Sequence, residues 1–291
     1  MFSRLSGFTF KLKNLVKKLP CMKMLLATGV GFMVINKFSI HQSSKKILCR
    51  DKSALNNENK EEYFETVNIN EMMKKYPNLT IINTKSVDML VGLIRDKNIE
   101  VKEFRFYSKR LLRLIIEEAL AVDCDQVAIK ESPLGLYKTV HNSHKMSDYV
   151  AVSILRSGNS MVDEILNIIP EIRIGKILLQ RDEESVEKNP IFYFDKLPQD
   201  LAGKRIFLLD PMAASGGSAA LSIEILLKKG VKEKDISFLC LISCEVAIKN
   251  LFSKFPQIKI VTAKMDPVLL PNKYIAPGLG DFGDRFYGTK V

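Results

Sequence analysis

The sequence predicts an α/β protein with a mainly parallel sheet flanked by helices, and three observations carry that prediction. Short, uniformly apolar runs recur at residues 149–155, 176–180, 205–209, 236–242 and 258–262. Amphipathic segments at 161–169, 218–229 and 245–252 separate several of them. A glycine-containing loop joins the run at 205–209 to the amphipathic segment that follows it. Runs without polar alternation suit strands covered on both faces, and strand–helix alternation is the signature of a parallel sheet. Upstream, residues 106–122 place Leu111, Leu112, Ile115, Ile116, Ala119 and Leu120 on one helical stripe, so a helical part precedes the sheet.

The 291 residues suffice for one large domain with an extension or for two small domains, and 46% hydrophobic with 26% charged residues is the balance of a globular protein. The net charge of +11 is unevenly placed. Residues 1–50 hold Arg4, Lys11, Lys13, Lys17, Lys18, Lys23, Lys37, Lys45, Lys46 and Arg50 and no acid, which accounts for nearly all of the excess. The rest of the chain is close to neutral, so a nucleic-acid-binding surface is not implied. Within the basic segment, an apolar run at 24–35 is too short for a bilayer-spanning helix, which needs roughly 20 residues. An acid-free amphipathic stretch before an apolar core reads as a targeting segment for the mitochondrion or a secretory or plastid route, touching membrane only transiently. A cytoplasmic protein with an unstructured extension is the alternative. The expected organisation is therefore a basic extension at 1–50, a polar linker and lead-in at 51–76, and one domain at 77–291.

Five cysteines without Cys-x-x-Cys spacing, in a chain this long, read as reduced thiols. His141 and His144 are spaced for one helix face, but no cysteine or acidic cluster accompanies them, and a solvated loop is the simpler reading.

The segment RIFLLDPMAASGGSAALSIEILL, residues 205–227, holds the most chemistry. A strand ends in Asp210, a small-residue loop runs from Ala213 to Ser218, and a helix follows. Ligands of open parallel sheets collect beyond the carboxyl ends of the strands. Gly216 and Gly217 let backbone N–H groups approach an anion, the helix adds its unpaired N–H groups and dipole, and Ser215 and Ser218 add hydroxyls. Asp210 would repel phosphate but can accept from sugar hydroxyls, so phosphate plus ribose is the ligand suggested. Neither a Walker loop nor a GxGxxG fingerprint is present.

LLDPMAASGGSAA resembles the phosphoribosyl pyrophosphate (PRPP) motif of uracil phosphoribosyltransferases, usually close to DPMLATGGS. In the same order, VSILRSG resembles that family's ILRAG, and LLQRDEES resembles its Arg-Asn/Asp-Glu-Glu segment. YIAPGLGDFGDRFYGTK is similar to its uracil-binding signature. LIRDKNIEVKEFRFYSKRLLRLIIEEAL resembles the N-terminal part of the eukaryotic-type enzymes. The resemblance covers residues 77–291 and implies a type I phosphoribosyltransferase fold with a C-terminal uracil-binding loop. It implies a glycosyltransferase of pyrimidine salvage that makes UMP and pyrophosphate from uracil and PRPP.

Carried over residue by residue, the resemblance gives Arg156, Arg181 and Asp210 catalytic roles. It gives PRPP contact to those three and to Pro211, Met212, Ala213, Ala214, Ser215, Gly216, Gly217, Ser218 and Asp281. Uracil contact falls to Ile275, Gly280, Asp281 and Phe282, and Asp182, Glu183 and Glu184 belong to a flap over the site. Mg²⁺ is expected bound through PRPP with no protein side chain as ligand. Members of the family are often dimers or tetramers, and some are activated by GTP as an allosteric effector. The chain departs from the pattern at Ala213 (usually leucine or cysteine), Ser215 (threonine) and Ser157 (alanine). A degenerate transferase-like domain of the kind fused to uridine kinases would have lost the arginines and the phosphate loop, whereas Arg156, Arg181, Asp210 and the Gly216–Gly217 pair are all kept here.

Overall fold

The structure is a computed structural model that describes residues 66–124, 126–181 and 190–289. The basic segment 1–50, residues 51–65 of the linker, and Asp182, Glu183 and Glu184 lie outside the described residues. The described part of the lead-in carries helix α1 (Ile69–Lys75), capped by the Asn68 side chain accepting from Glu71 N. Met72 of α1 is buried, and Tyr76 behind it stacks on Phe252 at 5.4 Å.

Strand β1 (Leu79–Ile81) is followed by α2 (Lys85–Arg95) and by the 22-residue α3 (Val101–Val122). Along α3, Phe104, Ser108, Leu111, Leu112, Ile115, Ile116 and Ala119 are buried, the spacing of one helical stripe. Strands β2 (Gln126–Ser132) and β3 (Gly135–His141) pair as an antiparallel hairpin. Then come β4 (Tyr149–Leu155), α4 (Val162–Ile168), β5 (Arg173–Arg181), β6 (Pro190–Lys196), β7 (Arg205–Leu209) and the two-residue β8 (Met212–Ala213). The chain continues through α5 (Gly217–Lys228), β9 (Ile236–Cys244), α6 (Glu245–Lys254) and β10 (Lys259–Asp266). It ends with β11 (Val268–Leu269), β12 (Ile275–Ala276) and α7 (Phe282–Tyr287).

The central sheet has the order β1-β10-β9-β7-β4-β5-β6, with β8 added beside β9. Every neighbouring pair is parallel except β5–β6, which is antiparallel and forms one edge. All nine residues of β9 and the first six of β4 are buried, as strands sheltered on both faces must be.

Because the strands run parallel, their amino ends share one edge, and a buried ionic cluster ties that edge together. Asp123, at the end of α3, accepts from Tyr149 Oη at 2.8 Å, Arg205 Nη2 at 3.2 Å and Lys259 Nζ at 2.5 Å. These partners open β4, β7 and β10. Two cations and a phenol satisfy a carboxylate that could not be buried alone. The opposite, carboxyl edge is left for the loops.

Candidate active site

Asp210 follows β7 and Arg156 follows β4, so sheet order alone brings residues 54 positions apart to one edge. The loop after Asp210 is pinned along its length. Asp210 N donates to Leu239 O, and Pro211 O accepts from the N–H groups of Leu241 and Ile242 at 2.8 and 3.0 Å. β8 pairs with β9, the Cys244 thiol donates to Ala214 O at 2.9 Å, and Asn250 Nδ2 donates to Ser215 O at 3.1 Å. Gly216 then caps α5 in the left-handed region at φ +79°, and a Cβ there would sit 3.2 Å from both Ala247 O and Leu251 Cγ. Only glycine meets both demands. The resulting small pocket is lined by residues 212–219 with Asp210, Pro190 and Phe238, and it opens onto the N-terminal turn of α5. That combination of backbone N–H groups, helix dipole and hydroxyls suits an anion.

Next to it lies a cleft of about 360 Å³, the size of a small-molecule site. Asp210, Met212 and Ser218 line both, so an anion in the loop and a ring in the cleft can belong to one ligand. The Ser157 hydroxyl donates to Asp210 Oδ1 at 2.7 Å. Across the cleft, Arg156 Nη2 lies 2.6 Å from Asp284 Oδ1, and the Arg156 guanidinium lies over the Tyr287 ring at 5.6 Å. Burial raises the Tyr287 phenol above its ordinary value, so it stays protonated.

The far wall comes from the C-terminal segment. β11 and β12 form a short hairpin, after which the chain turns through the cis Ala276–Pro277 peptide and Gly278. Gly278 has φ +54°, and a Cβ there would lie 2.1 Å from Ile275 O. Gly278 N donates to Asp266 Oδ2 at 2.9 Å, and Asp266 is itself paired with Arg95 of α2. Arg285 Nη1 donates to Ile94 O and Leu279 O, both at 2.7 Å, clamping the same loop to the end of α2. Phe282 is buried against Phe104 and Phe286 at 5.4 and 5.5 Å. Asp281 caps α7 by accepting from Asp284 N at 2.8 Å. The N-terminal helices thus brace the C-terminal loop.

Of the residues expected at the site, Arg156, Asp210, Met212, Ser218, Asp281 and Phe282 line the cleft, and Ala213, Ala214, Ser215, Gly216 and Gly217 line the small pocket. Pro211 lines neither and serves β9 with its carbonyl. Ile275 and Gly280 also lie off both linings, while Tyr274, beside Ile275, is on the cleft. Arg181 is the last residue of β5, opposite Pro190, and its side chain lies outside the description. Gln180, Gly283 and Asp284 line the cleft without having been singled out. Asp284 lies within the C-terminal signature, but nothing in its spacing from Arg156 marks the pair. His141 ends β3 and His144 follows it, and among the described residues no cluster of three or more metal-ligating side chains occurs.

Residues 81–289 match the uracil phosphoribosyltransferase family. Uracil phosphoribosyltransferase 1 of Schizosaccharomyces pombe is 40% identical over 223 residues, covering 76% of this chain and 99% of that protein. The uracil phosphoribosyltransferase of Saccharomyces cerevisiae is 41% identical over 218 residues, covering 74% and 99%. Among solved structures, the AQ2163 protein from Aquifex aeolicus superposes with a TM-score of 0.62 at 26% identity, covering 73% of this chain and 99% of that one. The matched residues span the parallel sheet, the pinned loop after β7 and the C-terminal loop, and the chain belongs to the uracil phosphoribosyltransferase family.

Proposed function

We propose that the chain transfers the phosphoribosyl group of PRPP to uracil, releasing pyrophosphate and UMP, a reaction of pyrimidine salvage. One observation carries the reading: the glycine loop at the head of α5, Asp210, Arg156 and the Asp281–Phe282 wall all face one continuous space. In the reaction the N1–C1 bond forms on the face opposite the departing pyrophosphate, the C1–oxygen bond breaks, and the N1 proton is lost. The barrier lies in parting an anionic leaving group from a ribose centre that gains positive character, so positioning and charge stabilisation do the work.

In this reading the loop from Ala213 to Ser218 holds the 5′-phosphate, and Asp210 accepts from the ribose hydroxyls. Arg156 and Arg181 bind pyrophosphate oxygens, since the guanidinium fork matches paired phosphate oxygens. Uracil lies against Phe282 and takes its hydrogen bonds from the backbone of residues 275–282. Cytosine presents the reversed donor–acceptor edge and leaves buried groups unpaired. Mg²⁺ would be carried by the pyrophosphate oxygens of PRPP rather than by protein side chains, in keeping with a cleft whose described residues form no metal-ligating cluster. When bound, Mg²⁺ neutralises charge developing on the pyrophosphate.

A homo-oligomer is part of the proposal. The β2–β3 hairpin exposes Val127, Ile129, Leu136 and Val140, and edge strand β6 half-exposes Ile191, Phe192, Tyr193 and Phe194. A two-stranded hairpin is marginal alone, and an apolar edge strand invites pairing, so a second copy of the chain is the proposed cover. No helix among the described residues is long and apolar enough to cross a membrane. The acid-free segment 1–50 is proposed as an address to an organelle, with 77–291 as the catalytic domain.

The test is UMP formation by the full chain from labelled uracil and PRPP with Mg²⁺, with and without GTP to read activation. Arg156→Ala and Asp210→Ala should each lower turnover about 100-fold or more. A parent chain that binds PRPP but makes no UMP would sink the transferase reading.

A further inference from the structure

Resting on that reading, we infer that Asp284 is a positioning residue that holds the pyrophosphate arginine, Arg156, and couples it to the uracil loop. Two contacts in series make the connection. The Asp281 side chain accepts from Asp284 N at 2.8 Å, Asp284 Oδ1 lies 2.6 Å from Arg156 Nη2, and Arg156 follows β4 at the floor of the cleft. The same Asp284 oxygen accepts from Thr289 Oγ1 at 2.7 Å, and Thr289 accepts from Arg156 Nη1 at 3.3 Å. Carboxylate and hydroxyl together grip both terminal nitrogens of the guanidinium.

Two further features fit a guanidinium kept in one place. A Cβ at Gly283 would lie 3.3 Å from Arg156 Nη2 and 3.5 Å from Nε, so glycine there lets the guanidinium rest against α7. The Tyr287 ring supports it from beneath. The Arg156 side chain is nevertheless 52% exposed, whereas that of Asp284 is 14% exposed, so the arginine presents a free flank to the cleft while its anchor is sheltered. An unanchored arginine must give up rotamer freedom when it meets a phosphate, and anchoring it beforehand removes that cost from binding. Asp281 caps the helix that carries Asp284, so the arginine's anchor is built onto the first turn that follows the C-terminal loop.

The test measures PRPP binding to the full chain by calorimetry, alongside the KM values for PRPP and uracil. Asp284→Asn keeps size and cap geometry but removes the charge. It should weaken PRPP binding and raise the PRPP KM about tenfold while the uracil KM and kcat stay within about threefold. Asp284→Glu should recover part of the loss. In an Arg156→Ala background, Asp284→Asn should cost no further PRPP affinity, because an anchor has no effect once its arginine is gone. A merely structural role would raise both KM values together and add to the loss from Arg156→Ala. Asp284→Asn with parental PRPP affinity, or with a full additive loss in the Arg156→Ala background, overturns the inference. A parent that neither binds PRPP nor makes UMP overturns the proposed function along with it, so the two failures are told apart by the parent.

Discussion

The Ser157 hydroxyl donates to Asp210 Oδ1 at 2.7 Å, joining the residue after Arg156 to the carboxylate at the tip of β7. Ser157 stands where the resembled family has alanine, so this chain adds a constraint on its proposed ribose acceptor. Ser160 Oγ in turn donates to Ser157 O at 2.8 Å, fixing the turn from which the hydroxyl points. A hydrogen bond to one carboxylate oxygen restricts the Asp210 side chain to fewer rotamers at the edge of the cleft. Ser157→Ala should raise the KM for PRPP about threefold to tenfold with kcat nearly unchanged, the loss of one hydrogen bond to a charged group diluted by solvent at the cleft mouth. Steady-state kinetics at saturating uracil decide it, and an unchanged PRPP KM would mean that the Ser157 hydroxyl does not position Asp210 for PRPP.

Gly216 tests whether the anion loop depends on backbone shape. Its φ of +79° is costly for alanine, and the added Cβ would press on Ala247 O and Leu251 Cγ at 3.2 Å. Gly216→Ala should cost about 1–3 kcal/mol of stability from the strained conformation. For a domain of this size that corresponds to a fall of roughly 2–4 °C in Tm per kcal/mol. PRPP affinity should fall further than stability accounts for, because α6 must move to admit the methyl. Melting curves with and without PRPP separate the two effects.

The buried thiols give a pH prediction. Burial pushes Cys240 up to about 12 from its ordinary 9.0 and raises Cys244 as well, the latter against the phosphate-loop carbonyl of Ala214. A raised value means that the folded state prefers the protonated thiol. This contribution to stability is complete below pH 9 and is lost as pH rises toward the folded values. At pH 8, iodoacetamide should alkylate the partly exposed Cys124 at least about tenfold faster than Cys240 or Cys244, since the thiolate is the nucleophile. Peptide mass spectrometry reads the order, and rapid labelling of Cys244 in the folded chain would contradict its burial.

Much of the fold was legible because parallel strands announce themselves. The runs at 149–155 and 205–209 coincide with β4 and β7, and those at 176–180 and 236–242 fall inside β5 and β9. The hairpin of β2 and β3 was not read. Its QVAIKES and GLYKTVH mix lysine, glutamate and exposed apolar residues, so no core imposes an alternation to detect. β6 escaped for a similar reason, since PIFYFDK is an edge strand half open to solvent. Within the site, the small-residue loop after β7 could be picked out because its residues are contiguous in sequence. The pairings of Ser157 with Asp210 and of Arg156 with Asp284 span 53 and 128 residues, and only sheet order creates them. Beside them, Ile275 is 5% exposed inside its hairpin, while Tyr274 lines the cleft.

Asp266 offers the sharpest test of how the base loop is held. It ends β10 with a side chain 2% exposed, pairs with Arg95, and accepts from Gly278 N at 2.9 Å within the loop that precedes Asp281 and Phe282. Removing the carboxylate strands a largely buried guanidinium and frees the loop from its floor. Asp266→Ala should therefore cost about 3–5 kcal/mol of stability, the range for breaking one side of a buried ion pair. An Arg95→Met, Asp266→Leu double variant should recover much of that stability, because it removes both charges and fills their space with apolar atoms. It should not recover the base site, since Gly278 N still lacks its acceptor and the turn at φ +54° has lost its tether. The double variant should melt near the parent yet show a uracil KM raised about tenfold or more, with PRPP affinity changed far less. Denaturant melts with kinetics on the same preparations would decide it. A parental uracil KM in the double variant would show that Arg285 alone, through Ile94 O and Leu279 O, suffices to hold the loop.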